Sequence, residues 1–240
     1  MYTSKAPAEW WDPLARIPDV RFAIVGNPRT GSSHLVSLLD SHPDVACWNY
    51  EIFEVGEAFD QSIYDDPRDF LRECVFRVNA RAVGFKLLWN AMKRTVAIWD
   101  VLRDLDIWLV HTYRANVLDS FISLQLATIN EAFTSHYGDY TTTQFVVDYD
   151  ECLEWFEAAE KRDAEIRRRS FDEGIRRLEI EYKELCETQD RVLDFLGVPR
   201  HPLTSRLTKQ RQGSQRDSIA NYAEIKERFA GSRWSMHFEE

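Results

Sequence analysis

Short apolar runs of strand length alternate along the chain with longer stretches in which apolar residues return at helical spacing. That alternation predicts a parallel sheet with crossover helices. The runs place strands at Arg21 to Gly26, Ala82 to Trp89, Ile107 to Tyr113 and Arg177 to Glu181, with a short fifth around Val45 to Trp48. After the first run, Leu35, Val36, Leu38 and Leu39 keep a helical period until Ser41-His42-Pro43 stops it, giving strand, loop and helix in succession. Phe145, Tyr149, Cys152, Leu153 and Phe156 fall at i, i+4, i+7, i+8 and i+11, the buried face of one long helix between Thr143 and Ser170. Its second half, Glu160 to Arg169, is charged all round and reads as a solvated helix end. Thr188 to Leu196 reads as a further helix, closed by Gly197 and Pro199. The fold class expected is α/β, a central parallel sheet of about five strands flanked by helices.

Composition narrows the possibilities. The 240 residues, 44% of them hydrophobic, suit a single domain over 1–240, with a core at 20–200. A formal net charge of −10 argues against non-specific nucleic-acid binding, so any anion site must be local. Met1 to Asp12 lacks the apolar core of a signal peptide, and no stretch approaches the roughly 18 apolar residues of a membrane span. Cys47, Cys74, Cys152 and Cys186 are far apart, and the histidines show no ligand spacing. A cytoplasmic protein with free thiols and no metal is expected.

The most informative stretch is Gly26-Asn27-Pro28-Arg29-Thr30-Gly31-Ser32-Ser33-His34, between an apolar strand and an amphipathic helix. Its glycines stand at P-loop spacing, which makes the expected sheet P-loop-type, but Ser32 replaces the lysine and a cation comes earlier, as Arg29. Backbone N–H groups and the positive end of the helix can converge there on an anion, helped by the hydroxyls of Thr30, Ser32 and Ser33. The plainer alternative is an ordinary helix cap with Arg29 solvated. A second basic site supports the anion cradle: the run Ile107 to Val110 leads through His111-Thr112-Tyr113 to Arg114, followed by a helix carrying Ser120 and Ser123. A P-loop phosphotransferase would hold magnesium on an aspartate at such a strand end. Here a cation occupies that position, which suits a ligand with two separate anionic ends.

Together, P-R-T-G-S-S-H-L (Pro28 to Leu35) and Y-R-A-N-V-L-D-S-F-I-S (Tyr113 to Ser123) resemble the two motifs of sulfotransferases that use 3′-phosphoadenosine-5′-phosphosulfate (PAPS). The loop arginine and the Arg114 to Ser123 spacing are similar to the bacterial carbohydrate branch, which includes trehalose and nodulation-factor sulfotransferases. The resemblance continues in G-F-K-L-L-W (Gly84 to Trp89), L-E-I-E-Y-K-E-L (Leu178 to Leu185), F-L-G-V-P (Phe195 to Pro199) and Lys209-Gln210, but the tail motif of the cytosolic branch is missing. It implies transfer of a sulfuryl group from PAPS, leaving 3′-phosphoadenosine-5′-phosphate (PAP), to a hydroxyl of a carbohydrate, glycolipid or small natural product, without a metal. The implied donor contacts are Arg29, Thr30, Gly31, Ser32, Ser33 and His34 at one end and Arg114 and Ser123 at the other.

Five basic residues and no acid lie between Arg200 and Arg216, so segment 201–230 is expected to cover the donor, with Lys209 and Arg216 on its 3′-phosphate or adenosine. The expected catalytic groups are Glu51, which matches the branch's base before an aromatic pair, with Glu54 as second candidate, and Arg29 and Lys86. Two roles stay open for Lys86, charge neutralisation on the sulfuryl group and structure. His34 either touches a ligand or serves the helix start, and His111 reads as a hydrogen-bonded core histidine. Trp48, Tyr50 and Phe53 around Glu51 would stack on an acceptor or belong to the core. A P-loop kinase and a non-catalytic nucleotide-binding module are the alternatives, and the oligomeric state is open, a homodimer included.

Overall fold

Phe22, Ala23, Ile24 and Val25 are all fully buried, an unbroken apolar run that suits a strand covered on both faces. They form the centre of β1 (Val20–Gly26), the middle strand of a five-stranded sheet. The computed structural model describes residues 17–48, 51–53, 65–133, 141, 143–208, 210–211 and 213–239. The other strands are β2 (Val45–Trp48), β3 (Ala82–Leu88), β4 (Ile107–Tyr113) and β5 (Arg177–Glu181). All pairs are parallel and the order is β2-β3-β1-β4-β5, with Phe22 beside both Gly84 and Trp108.

Side chains alternate across β1. Phe22 and Ile24 pack with Leu35 and Leu39 of α1 (Ser32–Leu39) and with Leu193 of a helix over Gln189–Phe195. Ala23 and Val25 pack on the opposite face with Phe70 and Leu71 and with Val101 and Leu102. Phe70 ends a short helical turn, Arg68–Phe70, that runs on as a π turn over Leu71–Val75. Next come α2 (Trp89–Arg94), α3 (Ile98–Asp104), α4 (Val117–Ile129) and α5 (Tyr149–Asp172), and the Gln189–Phe195 helix is α6. A third apolar cluster joins α4 and α5 to the chain's end, around α7 (Gln215–Ser218) and α8 (Tyr222–Arg228). Among the described residues no helix is long and apolar enough to cross a membrane.

Three elements differ from the sequence reading. Trp89 opens α2 rather than closing β3. The long helix starts at Tyr149, because the Asp148 side chain caps it by accepting from Glu151 N, and Phe145 instead bridges to Ile219. The charged half of α5 is not solvated all round: Ala159, Asp163, Ile166 and Ser170 continue the buried stripe.

The sheet order positions the site. From β1 the chain moves to one side for β2 and β3, then crosses to β4 on the other. In open α/β sheets, a crevice forms where the order reverses, at the carboxyl ends of the strands. Here those ends carry the Gly26 loop and Arg114.

Candidate functional site

The loop after β1 is braced from several directions. At Gly26, with φ 151°, a Cβ would stand 2.2 Å from the carbonyl oxygen of Thr112 on β4, so only glycine fits. The Asn27 amide donates to Asp163 Oδ1 (2.9 Å) and to the Ala159 carbonyl (3.1 Å) on α5. Asp163 Oδ1 also bonds His111 Nε2 at 3.0 Å, so His111 is a hydrogen-bonded core histidine. The Thr30 hydroxyl donates to the Asn27 carbonyl (2.8 Å) and lies 2.9 Å from Thr112 Oγ1. Gly31, at φ 87°, is the N-cap of α1, and no side chain caps that helix. The first-turn N–H groups of α1 therefore keep the character of an anion cradle. Arg29 itself adopts φ 67°, a left-handed conformation that costs roughly 1–3 kcal/mol and concentrates at ligand sites.

Beside the loop lies a cleft of about 530 Å³, lined by Arg29, Ser32 and Ser33 on one side and Arg114 and Ser123 on the other. Arg29 spans the two: its Nε donates to Ser123 Oγ (3.0 Å) and its NH2 to Gln210 Oε1 (3.0 Å). Arg114 lies over the Tyr182 ring, 4.4 Å from its centre, and its NH2 is 3.5 Å from Asp119 Oδ2. Arg211 reaches the other oxygen of the same carboxylate at 2.9 Å. Burial holds the Arg114 guanidinium below its usual pKa, an effect that Asp119 partly offsets. Arg114 Nε and Arg211 NH1 are buried and have no hydrogen-bond partner among the described residues. Two such donors in one cationic cleft suit an anion, since leaving each unpaired costs about 1–3 kcal/mol or more.

A second chain of contacts reaches the loop from β3. Lys86 Nζ, only 7% exposed as a residue, pairs with Glu51 Oε1 at 2.8 Å and donates to Ser33 Oγ at 3.2 Å. A carboxylate, a cation and a loop hydroxyl thus stand in series. His34 also lines the cleft, with Nδ1 3.0 Å from Ser205 Oγ, and burial lowers its pKa, which favours the neutral ring.

Several expected roles need correction. The Thr30 hydroxyl is committed to the loop's own bracing and does not line the cleft. Arg216 sits on α7, exposed, over the Tyr222 ring and beside a different cavity, so the structure does not bring it to this cleft. Arg211 is the C-terminal cation that arrives instead, with Leu207, Thr208 and Gln210. Trp48 and Phe53 are core residues, 4% and 1% exposed, which removes them as a stacking surface. Ser120 is turned inward, donating to the Val117 carbonyl and accepting from Trp155. Lys209, Tyr50 and Glu54 lie outside the described residues. Asp119 and Tyr182 were not singled out in the sequence, although both fall inside motifs that were.

The fold and this cleft define the class: an α/β protein with a parallel sheet and a cationic crevice at the carboxyl ends of its central strands. No protein-family model matches the chain. It is similar to nodulation protein H of Rhizobium tropici, 27% identical over 236 residues covering 91% of this chain and 92% of that protein. Nodulation protein H of Rhizobium meliloti (strain 1021) is 25% identical over 244 residues, covering 93% and 96%. The fold is similar to the crystal structure of a sulfotransferase from Alicyclobacillus acidocaldarius, with TM-score 0.53 and 19% identity over 95% of this chain and 98% of that one. These likenesses in sequence and fold support a bacterial sulfotransferase assignment.

Proposed function

We propose that this protein is a sulfotransferase that takes the sulfuryl group from PAPS and transfers it in line to a hydroxyl of a carbohydrate, glycolipid or small natural product. The observation that carries the reading is the meeting of both motifs on one cleft, where Arg29 Nε bonds Ser123 Oγ at 3.0 Å. The unpaired buried donors on Arg114 and Arg211 fit an anionic group. When bound, the donor supplies a sulfuryl group on a phosphate leaving group.

The chain's own residues have separable tasks. Loop N–H groups with Ser32, Ser33 and Arg29 hold the 5′ end, and Arg114, Ser123 and Arg211 hold the second anionic end. Glu51 takes the proton of the acceptor hydroxyl, and its ion pair with Lys86 holds the carboxylate in place. Lys86, through Ser33, ties the base to the loop and lends positive charge to the same region. His34, held by Ser205, shapes the wall beside the loop. Residues 201–230 act as the donor-covering part of a single domain over 1–240, through Gln210 and Arg211.

A thermal-shift panel tests this reading, because a ligand that binds only the folded state raises its melting temperature. PAP should stabilise the protein more than ATP or AMP does, and Arg114→Ala should abolish the difference. A preference for ATP, or equal shifts from PAP and AMP, would overturn the donor assignment.

A further inference from the structure

The two arginines assigned to the donor's second phosphate are held by a single acidic group. Asp119 is the third residue of α4; the Asn116 side chain, which caps that helix, accepts from its backbone N–H at 3.1 Å. A carboxylate in the first helical turn is also favoured by the helix dipole. Its Oδ1 takes Arg211 NH2 at 2.9 Å and Gln215 Nε2 at 3.4 Å, and its Oδ2 faces Arg114 NH2 at 3.5 Å. The guanidiniums repel each other, yet they share this carboxylate inside a cleft where all three side chains are at most 14% exposed.

Each arginine meets Asp119 with one terminal nitrogen, and each keeps another nitrogen unsatisfied: Nε on Arg114 and NH1 on Arg211. Asp119 thus leaves a donor on each of two neighbouring cations for a further anion. Resting on the donor reading above, we propose that Asp119 is a positioning residue that sets selectivity for a ligand bearing a second phosphate monoester. It acts by fixing the spacing of Arg114 and Arg211. A ligand with a hydroxyl in place of that phosphate cannot satisfy both guanidiniums, and sites built on fixed polar groups reject such analogues strongly.

The test is a binding cycle with PAP and AMP, which differ by the 3′-phosphate alone, measured calorimetrically on wild type, Asp119→Asn, Arg211→Gln and the double variant. Asp119→Asn keeps the shape and removes the charge that holds the cations. Its preference for PAP over AMP should fall by about tenfold or more, the scale of one charge-assisted hydrogen bond. The double variant should be no worse than Arg211→Gln alone. A merely structural role would lower the melting temperature and leave the PAP-to-AMP ratio unchanged; that result, or penalties that simply add, would sink the proposal. Should Asp119→Asn fail to fold, Arg211→Gln decides: a kept ratio overturns the proposal and a lost one supports it. Absence of PAP selectivity in the wild type defeats the donor reading itself, whereas selectivity that survives in Asp119→Asn defeats only the role given to Asp119.

Discussion

Replacing Gly31 by alanine should test how tightly the anion loop is built. Gly31 has φ 87°, where a residue with a Cβ loses roughly 1–2 kcal/mol. The new methyl would also stand 2.8 Å from Tyr182 Cδ2 and 2.9 Å from Leu185 Cδ1. Both distances are too short for carbon atoms, and displacing a ring and a buried leucine costs about 1–3 kcal/mol. Gly197→Ala is the control: it has φ 66° but no atom within 4 Å of the added Cβ, so it carries the backbone cost alone. Both variants share the small gain of about 0.4–1 kcal/mol from a stiffer unfolded chain. The difference between them isolates the overlap, and at about 2–4 °C per kcal/mol it amounts to about 2–12 °C in melting temperature. Because Tyr182 also carries Arg114 at 4.4 Å, Gly31→Ala should weaken PAP binding and Gly197→Ala should not. Differential scanning calorimetry with and without PAP reads both effects. Equal melting temperatures and equal PAP affinity in the two variants would refute the steric reasoning.

Other expectations follow from the same geometry. Glu51→Gln should cut turnover by about 10² to 10⁴ while PAP affinity stays within about twofold, measured by steady-state assay and calorimetry; undiminished turnover removes Glu51 as the base. Burial pushes the Cys152 thiol up to about 12 and Cys47 higher still, while Cys186 is exposed on the cleft wall. A thiol reagent at pH 8 should therefore label Cys186 first, and PAP should slow that reaction; labelling of Cys47 or Cys152 in the native protein contradicts the packing. His34 and His237 both have folded pKa values depressed by burial below 6.5. The unfolded chain then binds more protons below that pH, so their contribution to stability is full above about pH 6.5 and is lost as pH falls toward the folded values. Urea titrations from pH 7.5 to 5 should show that decline, reduced in His237→Gln; an identical slope in that variant discounts its share.

Strands β1 to β4 were legible because they are mostly buried and read as largely apolar runs, whereas β5, Arg-Leu-Glu-Ile-Glu, is partly buried and shows only alternation. The short segment Val45–Trp48, the weakest of the five signals, is a strand with all four residues buried. The loop and Arg114 were legible for a related reason: both follow directly from strand ends, so local order along the chain fixes their place. The C-terminal cations were not, because residues 200–216 are mostly polar, with only Leu203 and Leu207 as apolar anchors beside Pro202, and their destination depends on packing. Arg211 and Arg216 look alike in sequence, yet one meets Asp119 in the cleft and the other falls on α7 beside Tyr222. Asp163 was missed through its charge, although it sits on the same helical stripe as Phe156, Ala159 and Ile166. For the aromatics near Glu51 the sequence left stacking surface and core both open, because direction decides between them: Trp48 sends its indole N–H to the Val75 carbonyl, into the core.

The central position of β1 has a bearing on how the molecule is made. The Gly26 turn is packed so closely on the Thr112 carbonyl that a side chain there would strike it, and β1 finds both of its neighbours far downstream. On the ribosome, at about 5–20 residues per second, the first motif emerges seconds before the strand that buttresses it. A nascent chain ending ahead of Ile107 thus has the complete glycine segment and no competent pocket, and nucleotide capture belongs to the last stages of assembly.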